Sequence, residues 1–427
     1  MKRRVKVVLN INYVRENTDK VKEGIKKKGY DPKKLDRVFK VDETRRQLIG
    51  EVERWRRAKN LLDEQVEKKP TQEQIEKGKK IKGMLQRLEP DLRAVEEELQ
   101  MLLYEIPNLP ADDVPEGKDE SDNVEIKKHG QLKKFSFKPK DHLELGEALG
   151  IIDVKRAAKV SGTRFGYFRD QGAVLEMALM WHVFKKLAKK GFEAVIPPVI
   201  VKKEIEQGLG YVEHGGWDEA YLFEKDQVVF TASSEHAVIP LYANETLVEK
   251  QLPKRFVNFS TCFRREAGSY GQDTRGMLRL HQFNKVEMNV YTIPDLKVSD
   301  KECLDLLSIQ EKIVRELKLP YRVVHSCLGD LPFPNRRMYD LEIWFPGQKR
   351  YRETHSCSNC TDFQARRLKI KVKTKEGRQF IHALNATAAT DRLVLAILEN
   401  HQQKDGSVKI PKALQKYTSF KKISLKR

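Results

Sequence analysis

Between Phe256 and Val290 two runs of alternating apolar and polar residues, Phe256-Val257-Asn258-Phe259 and Phe283 to Val290, enclose a long polar loop. Period-two alternation on both sides of a glycine-bearing loop predicts two strands of an antiparallel hairpin. Into that hairpin the chain brings Arg264, Arg265, Arg275 and Arg279, with Glu266 and Glu287 among them and Gly268, Gly271 and Gly276 as turn residues. The planar guanidinium clamps phosphate or carboxylate at two points. An Arg-rich hairpin is more often a solvated, salt-bridged surface. Here, however, the loop mixes Arg with Gly rather than with Lys and Ser, and the charges sit on strand-like flanks. A triphosphate site is the sharper reading.

The first quarter of the chain has a different period. Asn12–Tyr30 reads as a short basic helix ending at Gly29, and Asp31-Pro32 as the cap and first turn of a long helix reaching about Lys68. Leu48, Val52, Trp55, Leu62 and Val66 form one apolar stripe on it. After the break Lys68-Lys69-Pro70-Thr71, a second helix carries Leu85, Leu88, Leu92, Val95, Leu99 and Leu102, spaced alternately by three and four. One narrow stripe per helix, with Lys and Arg crowding the other faces, predicts an antiparallel helical hairpin that projects as an arm rather than a buried layer. Pro90 is expected to interrupt the second helix.

Length and charge narrow the class. The 427 residues suffice for two domains, and the net charge of +20 suggests a polyanionic partner. The excess is densest at the start: residues 1–110 hold 28 basic and 20 acidic side chains. Five scattered cysteines argue against a disulfide framework. No signal-peptide pattern opens the sequence, and no apolar run approaches the roughly 20 residues of a membrane helix. A soluble, cytoplasmic protein with no membrane partner is expected.

The residues also spell a family. Phe263-Arg264-Arg265-Glu266-Ala267-Gly268, followed by Arg279-x-His281-Gln282-Phe283-x-Lys285-Val286-Glu287, closely resembles motif 2 of the class II aminoacyl-tRNA synthetases, in the wording of the seryl-tRNA synthetase family. Gly191–Pro198 looks like motif 1, and Leu384–Arg392 with the helix after it resembles motif 3. The resemblance runs from the first helix to Pro411. It implies an α+β fold: an antiparallel catalytic sheet flanked by helices, plus the coiled-coil arm. Residues 1–110 would be the tRNA-binding hairpin, 111–135 a linker, and 136–427 the catalytic domain, with Lys416–Arg427 read as a solvated tail.

The resemblance also implies roles. Arg264 would meet the ATP α-phosphate and the serine carboxylate, Glu266 the adenine amino group, and Arg279 the terminal phosphates. Phe283 would stack on adenine, the backbone near Leu280 would line its slot, and Arg265, Thr354, His355 and Arg392 complete the ATP set. Glu353 and Ser356 would hold Mg²⁺ on the ATP phosphates, since hard oxygen ligands suit that ion. Serine would be read by Ser233, Ser234, Glu235, Glu287, Asn385 and Thr387, with Ser233 at the family's threonine position and Thr231 fitting only another register. Pro198 would mark a homodimer interface, and Arg54, Arg57, Lys77 and Lys80 the tRNA arm.

Three departures stand out: Ser233 takes the threonine position, His355 replaces a serine, and one residue is missing between Thr387 and Arg392. Cys357-x-x-Cys360 suggests zinc, but no second ligand pair follows and the family binds none there, so no structural zinc is expected. There is no P-loop. The implied activity is ATP-dependent activation of L-serine and its transfer to tRNA(Ser), with tRNA(Sec) open as a second substrate. Two other readings are a catalytically impaired RNA-binding paralogue and a ligase loading a carrier protein. The basic arm disfavours the latter.

Overall fold

A computed structural model describes residues 11–66, 69–212, 216–267 and 276–425. The chain divides into two compact units at Pro107/Asn108. Gly268, Gly271 and Arg275 of the arginine-bearing loop, and Lys68 of the interhelical break, lie outside the described residues.

In the first unit the expected opening helix is two, α1 (Ile11–Glu16) and α2 (Thr18–Lys27). The break falls at Asn17. There the Asn17 Nδ2 donates to the Tyr13 carbonyl at 3.0 Å and Thr18 Oγ1 to that of Val14 at 3.1 Å, side chains competing with the backbone ladder. Gly29 closes the segment at φ +78°, a left-handed position that suits a residue without Cβ. The long helices are α3 (Lys34–Glu64) and α4 (Gln72–Tyr104). Thr71 opens α4 through a reciprocal capping box with Gln74.

Both stripes face inward: Val52, Leu88 and Leu99 are buried, and the other stripe residues are half-buried. The pairs Lys34–Glu105, Arg37–Glu98 and Arg56–Glu89 descend one helix as they ascend the other, so the hairpin is antiparallel. Helix α4 runs uninterrupted through Pro90, which sits on the exposed face. The missing N–H therefore withdraws a hydrogen bond where water can replace it.

The second unit is built on an eight-stranded sheet among the described residues. In chain order its strands are β1 (Val124–His129), β2 (Glu193–Val195), β3 (Lys254–Phe263), β4 (Gln282–Thr292), β5 (Tyr321–His325), β6 (Arg337–Phe345), β7 (Arg350–Thr361) and β8 (His382–Thr390). Their spatial order is β1-β5-β6-β7-β8-β4-β3-β2, antiparallel except for β2 against β3. The predicted hairpin is β3–β4, with Phe263 opposite Gln282. Helices α5 (Gln171–Lys189), α6 (Glu235–Val238), α7 (Leu296–Glu316) and α8 (Asp391–His401) belong to the same unit. Residues 393–398 of α8 are wholly buried in the core shared with the sheet.

Residues 111–135, expected as a linker, are packed on this unit instead. Ala111 and Val114 are buried against Leu328, Leu331 and Met338, and β1 pairs with β5. The stretch lacks periodicity because β1 is an edge strand exposed on both faces, so burial imposes no alternation. Nor is the chain end a solvated tail. Lys422–Ile423 pairs with Val408–Lys409, and Ile423 is buried. Among the described residues no helix is long and apolar enough to cross a membrane.

Candidate active site

Strand β4 supplies the centre of the site. Lys285 and Glu287 are two residues apart, so they share a face. Both are buried, with Nζ and Oε2 3.1 Å apart. The turn before α6 adds two hydroxyls to the same carboxylate: Ser233 Oγ donates to Glu287 Oε2, and Ser234 Oγ does so at 3.1 Å. Burial pushes the Glu287 carboxyl up, but Lys285 and then the serine hydroxyls outweigh it and hold the group below the ordinary carboxylate value. Glu287 stays charged.

Glu235, also buried, moves the other way. Desolvation and then the Glu287 charge push its carboxyl up, although Tyr211 Oη donates to it at 3.0 Å and Gln364 Nε2 at 2.7 Å. His236 stacks face to face on Tyr211, with ring centroids 5.3 Å apart, and holds Glu206 at 2.8 Å. Glu206, Tyr211, Ser233, Glu235, His236 and Glu287 border a cavity of about 460 Å³, which Asn385 also lines; Ser234, expected at the site, lies behind Glu287 and does not line it. The buried Asn385 Nδ2 has no partner. Thr231 is buried outside that lining, so Ser233 is the residue that reaches the cavity.

A second cavity, of about 150 Å³, adjoins the first through the shared residues Arg264, Glu266, Arg279, Lys285 and Ser356. Arg264 stands at that junction. Its Nε donates to the Ala232 carbonyl at 3.2 Å and its guanidinium lies 5.2 Å from the Phe283 ring centroid. Phe283 is half-buried at the cavity wall rather than packed in the core. Leu280 lines the same wall. Arg279 pairs with Glu266 at 2.7 Å, and Glu266 is held at φ +53°. Opposite, Arg392 Nε donates to the Leu278 carbonyl at 3.0 Å and its Nη1 to the Glu353 carbonyl at 2.8 Å. Thr354, Ser356 and Thr387 complete the wall.

Two expected ATP contacts are placed elsewhere. Arg265 is exposed and lines neither cavity; its backbone N–H donates to the Glu219 carbonyl at 2.9 Å. His355 is buried and also lines neither, because it sits one residue from Ser356 and a strand turns successive side chains to opposite faces. The two cysteines of the CxxC are buried. Cys357 Sγ meets the Cys303 carbonyl at 3.3 Å, and Cys360 Sγ meets Asn335 Oδ1 at 3.4 Å.

The comparisons agree with this geometry. A family model described as the seryl-tRNA synthetase N-terminal domain matches residues 8–110. A second, the tRNA synthetase class II core domain (G, H, P, S and T), matches residues 221–401. A serine–tRNA ligase of Rubrobacter xylanophilus is 40% identical over 416 residues, covering 96% of this chain and 97% of that protein. The chain belongs to the seryl-tRNA synthetase family. Among solved structures, a seryl-tRNA synthetase of Pyrococcus horikoshii complexed with ATP superposes with a TM-score of 0.90 at 36% identity, covering 98% of this chain and all of that one. A cytoplasmic serine–tRNA ligase of Naegleria fowleri in complex with AMP gives 0.88 at 28% identity, covering 99% and 100%.

Several side chains at this synthetase site were not singled out from the sequence. Lys285 lies inside the motif 2 string, and its spacing from Glu287 was the available signal. Tyr211, Gln364, Glu206 and His236 come from three separate segments and carry no local pattern. Asp391 lines the nucleotide-side cavity beside Glu176, each bonded to Asn284, and burial followed by the Glu176 charge pushes the Asp391 carboxyl well up.

Proposed function

We infer that this protein is a serine–tRNA ligase that activates L-serine with ATP, releasing pyrophosphate, and then transfers the seryl group to the 3′ end of tRNA(Ser). The observation that carries the reading is the buried Glu287, gathered with Lys285, Ser233 and Ser234, in a cavity whose lining shares Arg264 with a second one. One cavity has carboxylates for an ammonium and polar groups for a hydroxyl. The other has arginines and an aromatic face for a nucleotide.

In the first step the serine carboxylate oxygen attacks the α-phosphorus and the bond to pyrophosphate breaks. Arg264 sits between the cavities, where it meets both the carboxylate and the α-phosphate. Glu287 and Glu235 hold the ammonium, and Ser233 and Asn385 face the hydroxyl; Thr387, expected there, lines the other cavity instead. A site that hydrogen-bonds a hydroxyl rejects alanine because its own polar groups would be left unpaired. Phe283 and the Leu280 backbone receive adenine, while Arg279 exchanges Glu266 for the terminal phosphates, freeing Glu266 for the adenine amino group. Arg392 backs the phosphates from the other wall. In the second step a ribose hydroxyl attacks the seryl carbonyl and AMP leaves. No protein nucleophile is needed; positioning and electrostatics suffice.

The donor set also fits Mg²⁺. Glu353 and Ser356 present hard oxygens, and Asp340 Oδ1 nearby is buried without a partner, its carboxyl pushed well up by burial and then by Glu353 and Asp330. Glu353 and Ser356 would hold the ion, whose charge, when bound, neutralises the ATP phosphates. Arg54, Arg57, Lys77 and Lys80 are exposed on α3 and α4, suited to a tRNA backbone in residues 1–110. Val174, Met177 and Trp181 share one face of α5 and are exposed, as are Ile196 and Pro198, which suits a homodimer interface. A cytoplasmic location accords with tRNA charging.

The test is amino-acid-dependent exchange of pyrophosphate into ATP, run with serine, threonine, alanine and glycine and without tRNA. Exchange with serine alone supports the assignment. Exchange with alanine or glycine would redirect it to another small amino acid, and none from folded protein would overturn it.

A further inference from the structure

Strands β7 and β8 meet at the cavity wall with unequal lengths of chain. Their last regular pair there is Cys357 opposite Ala386. Beyond it the Arg392 side chain, from the first turn of α8, donates to the Glu353 carbonyl. Between Cys357 and Glu353 lie residues 354–356 of β7; between Ala386 and Arg392 lie 387–390 of β8 and Asp391, which opens α8.

Two neighbouring bulges absorb the mismatch. The β6–β7 register shifts so that Thr354 has no residue opposite it, and the β4–β8 register shifts so that Ala388 has none. Extending the Cys357–Ala386 pairing by two places His355 opposite Ala388. The His355 ring is buried; its Nδ1 lies 2.8 Å from Thr354 Oγ1, and the Ala388 carbonyl stands beside the ring. Thr354 Oγ1 is tied in turn to the Leu341 carbonyl at 3.2 Å. The ring's Nε2 is buried without a partner of good geometry. One side chain thus touches both bulged residues.

We propose that His355 is a positioning residue: it fills the gap between the two bulges, fixes the register of β8, and so sets where Thr387 and Arg392 stand relative to Glu353 and Ser356. Two of the departures from the pattern that the resemblance implies, His355 in place of a serine and the segment one residue short between Thr387 and Arg392, fall on this strand pair and its continuation into α8. His355 reaches the reaction only through Thr387 and Arg392, and the inference rests on the serine-activating reading of the site.

The experiment is a cycle of four full-length proteins: the native chain, His355→Ser, an alanine inserted after Ala388, and the two changes together. Each is assayed for serine-dependent pyrophosphate exchange with separate KM values for ATP and serine, for ATP affinity by calorimetry, and for thermal unfolding. Each single change is expected to lower kcat/KM about a hundredfold, the effect of misplacing a bound group by an ångström. The double change should restore most of it. Additive losses would overturn the proposal, as would a His355→Ser protein that melts earlier with unchanged KM values and ATP affinity. Should that variant not fold, His355→Asn, which keeps a bond to Thr354, takes its place under the same criteria. Lack of exchange in the native chain would count against serine activation itself, while calorimetry still reads the effect of His355 on the ATP side.

Discussion

The two adjoining cavities hold their charges in opposite ways. On the serine side Glu287 is wholly buried, with Lys285 and two hydroxyls fixed on it before any substrate arrives. On the nucleotide side the charges are partly exposed and paired with one another, Arg279 with Glu266 and Arg392 with Glu353. A small substrate distinguished by one hydroxyl needs a dry, rigid pocket, because selectivity there depends on leaving polar atoms unmatched in the wrong complex. A triphosphate brings several charges of its own, so exchangeable ion pairs in contact with water serve it. Rigidity selects and exchange accommodates.

The largest effect should come from the residue common to both. Arg264→Ala is expected to lower exchange about 10³-fold, the upper range for loss of one transition-state donor, with both KM values affected. A loss confined to one substrate would break the view that Arg264 bridges the cavities. Next, Glu287→Gln leaves Lys285 buried without its counter-charge. Removing one partner of a buried pair costs about 2–5 kcal/mol, so serine KM should rise about a hundredfold while calorimetry shows ATP binding within a few-fold of native.

Acidification sharpens the contrast. Glu235 lies above its ordinary value through burial and then Glu287, so as pH falls it takes up a proton sooner than a free glutamate would. In the role proposed for it, its attraction for a serine ammonium is present above that raised value and lost below it. Glu287 is depressed, so the stability it contributes is present above its unfolded value and lost only as pH falls through the lower, folded one. Serine KM should therefore rise on mild acidification before the protein unfolds, while ATP affinity lags. Glu235→Gln should abolish that rise, and a serine KM that tracks unfolding instead would remove Glu235 from the ammonium site.

The same contrast explains what the sequence made legible. The coiled-coil seam is periodic, and Leu85 through Leu102 announce it because burial repeats every three or four residues. Much of the second cavity's wall is compressed into a motif string, so Arg264, Glu266, Arg279 and Phe283, which line it, stand close together in sequence. The serine side is assembled from afar. Tyr211 and Gln364 converge on Glu235 from segments with no repeating pattern, and only the folded sheet brings them together. His355 shows a different limit. It stands within a recognisable string, yet strand alternation turns it from the cavity that Ser356 lines, and its partner Ala388 is fixed by a bulge that no local pattern reveals.

The smallest effect tests the comparison from its weaker side. Glu266 and Arg279 retain 12% and 28% of their side-chain exposure, and a pair in contact with solvent is worth about 0–1 kcal/mol. Glu266→Gln should thus leave the melting temperature nearly unchanged and serine KM unaltered. Two opposed effects act on ATP. Arg279 is freed from a competing carboxylate, which favours phosphate binding, while the adenine amino group loses a charged acceptor for a neutral one. The net change in ATP KM should stay within about fivefold, the range of a single exposed interaction. GTP discriminates further, because it presents an oxygen where ATP has the amino group. If Glu266 reads that position, the glutamine variant should discriminate less between the two nucleotides in pyrophosphate exchange. If it serves only to hold Arg279 before ATP arrives, discrimination will stay as it was and the adenine reader must lie elsewhere on the wall.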